Sequence, residues 1–169
     1  GEDTGVGRFP ETVEIISAFL KHIGSTQDLL GKRILISAGG TREAIDPVRY
    51  ISNHSSGKMG YALAQAAQQA GANVTLISGP VNLTAPPGVT LVSVNTALEM
   101  HHAAISRSAQ HDIFIGCAAV ADYRPESVAD NKIKKSNDEL VVKMVKNPDI
   151  LADIANSKQR PFCVGFAAE

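Results

Sequence analysis

"KRILISA", residues 32–38, decides how the rest of the chain is read. Ile34, Leu35 and Ile36 follow one another with no polar residue between them. A run this short, β-branched and apolar on successive positions leaves neither face for water. That is the pattern of a strand buried on both sides in a parallel sheet. "NVTLIS" (73–78), "TLVSV" (90–94), "DIFIGCA" (112–118) and "PFCVGFAA" (161–168) are further strands, and "ELVVKMV" (139–145) is a strand candidate with ambiguous patterning.

Helical signals fall between them. Met59, Leu63, Ala66, Ala67 and Ala70 line one face of a helix that Gly71 can end. Thr96 and Glu99 form a capping box for a helix to about Ser108. Asn147 as cap and Pro148 in the first turn predict a helix over 148–157. Alternating strands and helices predict a three-layer, Rossmann-like α/β fold with a mainly parallel sheet.

Upstream, Val13, Ile16, Phe19, Leu20 and Ile23 predict an amphipathic helix over 10–23, and "GSTQDLLG" (24–31) reads as a linker. The expected division is therefore 1–31 and 32–169. A terminal parallel strand normally feeds a helix, so the chain is expected to be a piece of a longer protein, truncated at its C-terminus.

Composition narrows the function. The formal net charge of −1 gives no global field for nucleic acid or an anionic membrane. No apolar stretch approaches the roughly 18 residues that span a bilayer, and no signal-peptide pattern is visible, so a cytoplasmic location is expected. Cys117 and Cys163 lie in apolar runs, which predicts buried thiols rather than a disulfide. No His/Cys spacing suits a metal.

Chemistry is then sought in the long segments after the strands, because ligands of open α/β sheets sit at the carboxyl edge. "SAGGTREAIDPVRYISNHSSGKMG" (37–60) holds no Walker A motif: Met59 follows Gly57-Lys58 where Ser or Thr is required, and position 52 is not glycine. Nor is it a G-x-G-x-x-G fingerprint. Ser55, Ser56 and Gly57 stand at a helix start, where free N–H groups favour an anion, and Asn53 could add an amide. The same residues also serve as plain caps and a turn, and His54 reads as a surface residue. In "GCAAVADYRPESVADNKIKK" (116–135), small residues allow close approach of a planar group. Asp122 can orient a ligand, and Lys132, Lys134 and Lys135 suit a polyphosphate or simply solvate a loop. "KNPDIL" (146–151) offers another helix start.

Together "AGGTREAIDPVRYISNHSSGKMG", "GCAAVADYRP", "KIKK", "KMVKNPDIL" and "VGFAAE" closely resemble bacterial phosphopantothenoylcysteine synthetase, over about residues 33–169. In many bacteria this is the second half of a bifunctional coenzyme A biosynthesis protein. "GVGRFPET" (5–12) is similar to the tail of the fused FMN-dependent decarboxylase. Phe9 there replaces a methionine, and Pro10-Glu11 inverts the usual order. The resemblance implies a CTP- and Mg²⁺-dependent ligase that joins 4′-phosphopantothenate to L-cysteine through an acyl-cytidylate. It also implies a homodimer, with FMN confined to the absent decarboxylase part.

By position, the resemblance implies that Asn53 handles the acyl-cytidylate, with Ser55, Ser56 and Gly57 on the substrate side. Gly116, Cys117 and Ala118 would line the cytosine pocket, Asp122 would contact the nucleotide, and Lys132 would support activation. Pro148, Asp149, Ile150 and Leu151 would receive CTP at a helix start, with Phe166 packed nearby. The family continues past "VGFAAE" into a lysine-bearing segment, so the chain alone is expected to be weakly active or inactive. Two other readings predict different residues. An NAD(P)-dependent oxidoreductase needs a compact glycine fingerprint and an acid ending the second strand, whereas "LISGP" (76–80) has none. A non-catalytic nucleotide-binding module would bind without turnover.

Overall fold

The computed structural model describes residues 27–135 and 139–166. Its centre is the strand read first, β1 (Arg33–Ala38), buried from Ile34 onward. Side chains alternate along it. Ile34, Ile36 and Ala38 enter one core with Tyr61, Ala64 and Leu76. Leu35 enters a second core on the other face with Met100, Phe114 and Ile154. A fully buried Leu or Ile of this kind contributes about 1.5–3 kcal/mol, so β1 is the shared floor of both layers.

The other sheet strands are β4 (Asn73–Ser78), β5 (Thr90–Ser93), β6 (Ile113–Gly116) and β9 (Phe162–Gly165). Their order is β5-β4-β1-β6-β9, and all four pairings are parallel. Helix α1 (Lys58–Gln69) covers one face; α2 (Ala97–Ser108) and α3 (Ile150–Ala155) cover the other. The chain leaves β1 toward β4 on one side and returns to β6 on the other. The switch point, where such folds open a crevice, therefore lies between β1 and β6.

Two short antiparallel pairs sit outside this sheet. One joins β2 (Arg42–Asp46) to β3 (Arg49–Ser52), and the other joins β7 (Tyr123–Pro125) to β8 (Met144–Lys146). The first is a hairpin inside the segment read as one long loop. Its turn is made by Asp46, whose Oδ1 accepts the amides of Val48 and Arg49 at 2.9 Å each. The second corrects the expectation for 139–145: only Met144 to Lys146 is extended, while Leu140 and Val141 are exposed.

Helix ends also differ from expectation. The third helix is capped by Asp149, whose Oδ1 accepts the Ala152 amide at 2.9 Å, so it begins at Ile150. Asn147 does not cap it because that amide is committed elsewhere. Thr96 does cap α2 through Glu99 N–H, while the Glu99 carboxylate takes the amide of Asn95, one residue before the cap. In α1 the buried face is Gly60, Tyr61, Ala64 and Ala67, one position round from the predicted stripe, and Met59 is half exposed. Gly60 sets that rotation. A Cβ there would lie 2.5 Å from the Ala38 Cβ, so the helix can seat on β1 only at a glycine.

The helix predicted over 10–23 lies outside the described residues, as do residues 167 and 168 of the last predicted strand. Within the predicted linker, Leu29 packs on the first core, and its amide donates to Ala70 O at 3.0 Å.

Candidate functional site

The carboxyl ends of β1, β6 and β9 open on a cavity of about 430 Å³. Small residues form its inner wall. Ser37, next to last in β1, and Gly116, last in β6, stand there, and Ala118 follows, with its amide donating to Ser37 Oγ at 3.3 Å. Phe114, Ile150, Leu151 and Phe166 supply apolar surface; Asp122, Asn147 and Asp149 supply polar groups. A cavity that combines apolar surface with several convergent polar groups suits a polar small-molecule ligand.

Eight residues assigned to the nucleotide from sequence line this cavity: Gly116, Ala118, Asp122, Pro148, Asp149, Ile150, Leu151 and Phe166. The Asp122 carboxylate is exposed and has no hydrogen-bond partner among the described residues. Asp149 is engaged as the helix cap, so its carboxylate takes one of the N–H groups expected to be free. Cys117 does not line the cavity; its amide donates to Ser37 O at 3.1 Å. Neither cysteine is the fully buried thiol expected. Both are half-buried and free: Cys117 lies just past the end of β6, and Cys163, on the outermost strand β9, packs on the margin of the second core. Burial still pushes the Cys117 thiol above its ordinary value, which keeps it protonated and a poor nucleophile at neutral pH.

Asn53 stands just beyond β3, and its Nδ2 donates to Ala119 O at 3.1 Å and Val120 O at 3.4 Å. It therefore ties the first loop to the second, at residues flanking the cavity wall. Ser55 accepts the Gly57 amide on its Oγ at 3.3 Å, and Ser56 is exposed. Gly57, the residue before α1, has φ +73°, a conformation that costs a residue with a Cβ. No side chain caps this helix. Lys132 does not line the cavity. It is exposed, on a segment held against the hairpin.

Polar ties made by four side chains escaped the sequence reading. Asn147, 6% exposed, donates its amide N–H to Asp122 O at 2.7 Å and its Nδ2 to Ala121 O at 2.8 Å. Arg124 donates to Asn147 Oδ1 at 3.0 Å and to Lys146 O at 2.9 Å. The Glu43 carboxylate, 2% exposed, accepts the Ala97 amide at the start of α2 at 2.9 Å. Asp46, 2% exposed, takes Arg49 Nε at 2.9 Å and the amide of Ile133 at 3.1 Å. The Arg49 guanidinium beside Asp46 holds its carboxyl well below the usual carboxylate range, against the opposing effect of burial. The one available signal was Asp46-Pro47, a dipeptide that starts turns.

Strand order and cavity together define a doubly wound, Rossmann-like α/β domain with a cavity at the carboxyl edge of its sheet. Residues 29–169 match the family described as "DFP: DNA/pantothenate metabolism flavoprotein C-terminal domain", and the chain belongs to that family. It is 58% identical, over 99% of its length, to the "Coenzyme A biosynthesis bifunctional protein CoaBC" of Vibrio cholerae, and 57% identical to the protein of the same description from Escherichia coli K12. The chain spans 42% of the length of each. Among solved structures, the C-terminal domain of a CoaBC protein superposes with a TM-score of 0.75 at 46% identity. That match covers 86% of this chain and 68% of the other.

Proposed function

We propose that this chain carries the phosphopantothenate–cysteine ligase step of coenzyme A biosynthesis, with CTP as the activating co-substrate. The carrying observation is the cavity at the switch point, whose wall holds eight of the residues assigned to the nucleotide. Its family membership and the coenzyme A biosynthesis role in its relatives' names point the same way.

In the first half-reaction a carboxylate oxygen of 4′-phosphopantothenate attacks the α-phosphorus of CTP. The P–O bond to pyrophosphate breaks, leaving an acyl-cytidylate. In the second, the amine of cysteine attacks the acyl carbon; CMP leaves with the bonding pair, and the ammonium proton goes to solvent. Both halves bring anions together, so catalysis rests on positioning and charge cancellation. The base would lie on the Gly116–Ala118 wall against Phe166, with Asp122 orienting it. Lys132 would neutralise charge building on the phosphates. Asn53, fixed by the Ala119 and Val120 carbonyls, would hold the acyl-cytidylate beside Ser55, Ser56 and Gly57. Backbone atoms around Cys117 would complete the pocket.

Mg²⁺ would enter with the phosphates. Among the described residues no three His, Cys, Asp or Glu side chains converge, a donor set that suits a nucleotide-borne ion with Asp122 as the nearest uncommitted carboxylate. FMN is assigned to a decarboxylase part outside this chain and enters neither half-reaction. Residues 1–31 are read as the tail and linker from that part, and residues 32–169 as the ligase domain; a homodimer in the cytoplasm completes the proposal. Among the described residues no helix is long and apolar enough to cross a membrane.

The test uses the full-length polypeptide with 4′-phosphopantothenate, L-cysteine and CTP. Pyrophosphate, CMP and the cysteine amide should appear in equal amounts. No amide product would reject the ligase reading, and ATP outperforming CTP by orders of magnitude would reject the nucleotide. Lys132→Ala and Asn53→Ala should each lower kcat by about 10²-fold or more with the fold intact; wild-type rates in both would remove their roles.

A further inference from the structure

Ile133 lies between Lys132 and Lys134, and both of its backbone polar groups are held by the hairpin. Its amide donates to Asp46 Oδ2 at 3.1 Å, and its carbonyl accepts from Arg49 Nη2 at 2.8 Å. Asp46 and Ile133 are 87 residues apart, and no β-ladder joins their segments. The contact is to backbone alone, so it fixes where the lysine segment runs without constraining the lysine side chains.

Asp46 can do this because its two oxygens have separate tasks. Oδ1 closes the hairpin turn by accepting the Val48 and Arg49 amides. Oδ2 faces three donors: Arg49 Nε, Arg49 Nη2 and the Ile133 amide. A buried carboxylate is tolerated only when paired and hydrogen-bonded, and here Arg49 supplies the charge and the amides supply the bonds. The neighbouring tie from the Ala129 amide to Ile45 O, 3.0 Å, holds the start of the segment independently.

We propose that Asp46 is a positioning residue for Lys132: with Arg49 it clamps the Ile133 peptide and so sets where the Lys132 ammonium can reach. The kinetic part rests on the ligase reading above; the clamp itself does not. Asp46→Asn separates the two tasks. An amide oxygen at the Oδ1 position keeps the turn, while an NH₂ at the Oδ2 position meets three donors with no acceptor.

The experiment compares wild type, Asp46→Asn, Lys132→Ala and the double variant in the full-length polypeptide. Amide hydrogen exchange at Ile133 should quicken at least tenfold in Asp46→Asn, while the amides of β1 and β4 keep their wild-type rates. With CTP, 4′-phosphopantothenate and cysteine, kcat should fall about ten- to hundredfold, the scale of an ångström-level misplacement. KM for 4′-phosphopantothenate should stay within twofold. In the Lys132→Ala background the same substitution should cost less than twofold more, because the group it positions is gone. Unchanged exchange at Ile133 would overturn the clamp. Equal losses with and without Lys132 would overturn its link to that residue. Should Asp46→Asn not fold, Arg49→Lys keeps a cation beside Asp46, removes the bond to Ile133 O, and must show the same dependence on Lys132. A wild-type protein that makes no product would count against the ligase reading only, since exchange at Ile133 still decides the clamp.

Discussion

Two aspartate–arginine pairs stand at opposite ends of the sheet, alike in chemistry and unlike in what depends on them. At the amino end, Arg33 Nη2 meets Asp112 Oδ1 at 2.8 Å, with side chains 52% and 36% exposed. Beyond the carboxyl end, Asp46 is enclosed while Arg49 remains 42% exposed. In both, the arginine holds the carboxyl well below the usual carboxylate range. Arg33 and Asp112, however, begin neighbouring strands that the β1–β6 ladder already joins in register. Their backbones also bond directly, Asp112 N–H to Arg33 O at 2.8 Å. That pair duplicates a connection. The Asp46 pair makes one that no ladder supplies, between a hairpin and the lysine segment. Redundancy, rather than bond strength, separates the two.

The sharpest way to break this comparison is to neutralise each aspartate in turn and measure ligase turnover. Asp46→Asn should lose about ten- to hundredfold in kcat, whereas Asp112→Asn, remote from the cavity, should stay within twofold. Equal losses would mean that the position of the pair does not matter.

Much of the sheet was legible in the sequence because β1 is apolar on three successive positions and β4 is apolar apart from Thr75 over Val74 to Ile77. The hairpin was not. "REAID" turns Glu43 and Asp46 inward, and a buried carboxylate reads as a loop residue until its partners, the Ala97 amide and Arg49, are known. Those partners are distant or on the next turn, so no local period reveals them. The α1 stripe was displaced by one position for a related reason. Gly60 contributes no hydrophobic signal, yet its missing side chain sets the depth of packing against Ala38. For the site, eight of the residues read from the motifs line one cavity while Asn53, Cys117 and Lys132 do not, and the restraints that place them do not show in composition. Asn147 read as a helix cap because Asn before Pro usually is one; three-dimensional contact instead commits its side chain to Ala121 and Arg124.

Asn147 sharpens the comparison with a tie that carries no charge. It is buried and joins β8 to the Ala121–Asp122 wall, again where no main-sheet ladder helps. Asn147→Ala should strand the Ala121 carbonyl and lower stability by about 1–3 kcal/mol in urea unfolding. The loss should be the same at pH 5 and pH 8, since the amide does not titrate. KM for CTP should rise more than KM for cysteine, because the loosened wall bears Asp122. A loss that differed between pH 5 and pH 8 would show that the substitution had disturbed a titrating group as well as the amide tie.

Asp112→Asn should produce the smallest change, and one that fades in acid. Asparagine can still accept the Arg33 amide, which donates to Asp112 at 2.8 Å, so only the ionic part of the contact goes. That part is exposed and screened, and such pairs contribute little. Because the folded carboxyl is held below its unfolded value of about 4, its stabilisation is fully present above that pH. It is lost as pH falls through the lower folded value. Urea midpoints of wild type and variant should therefore differ slightly at pH 7, converge below pH 4, and draw together at pH 7 when salt is raised to about 1 M. A gap that widened in acid would mean that the variant had disturbed the β1–β6 ladder itself. The amino-end pair would then be as indispensable as the one at Asp46.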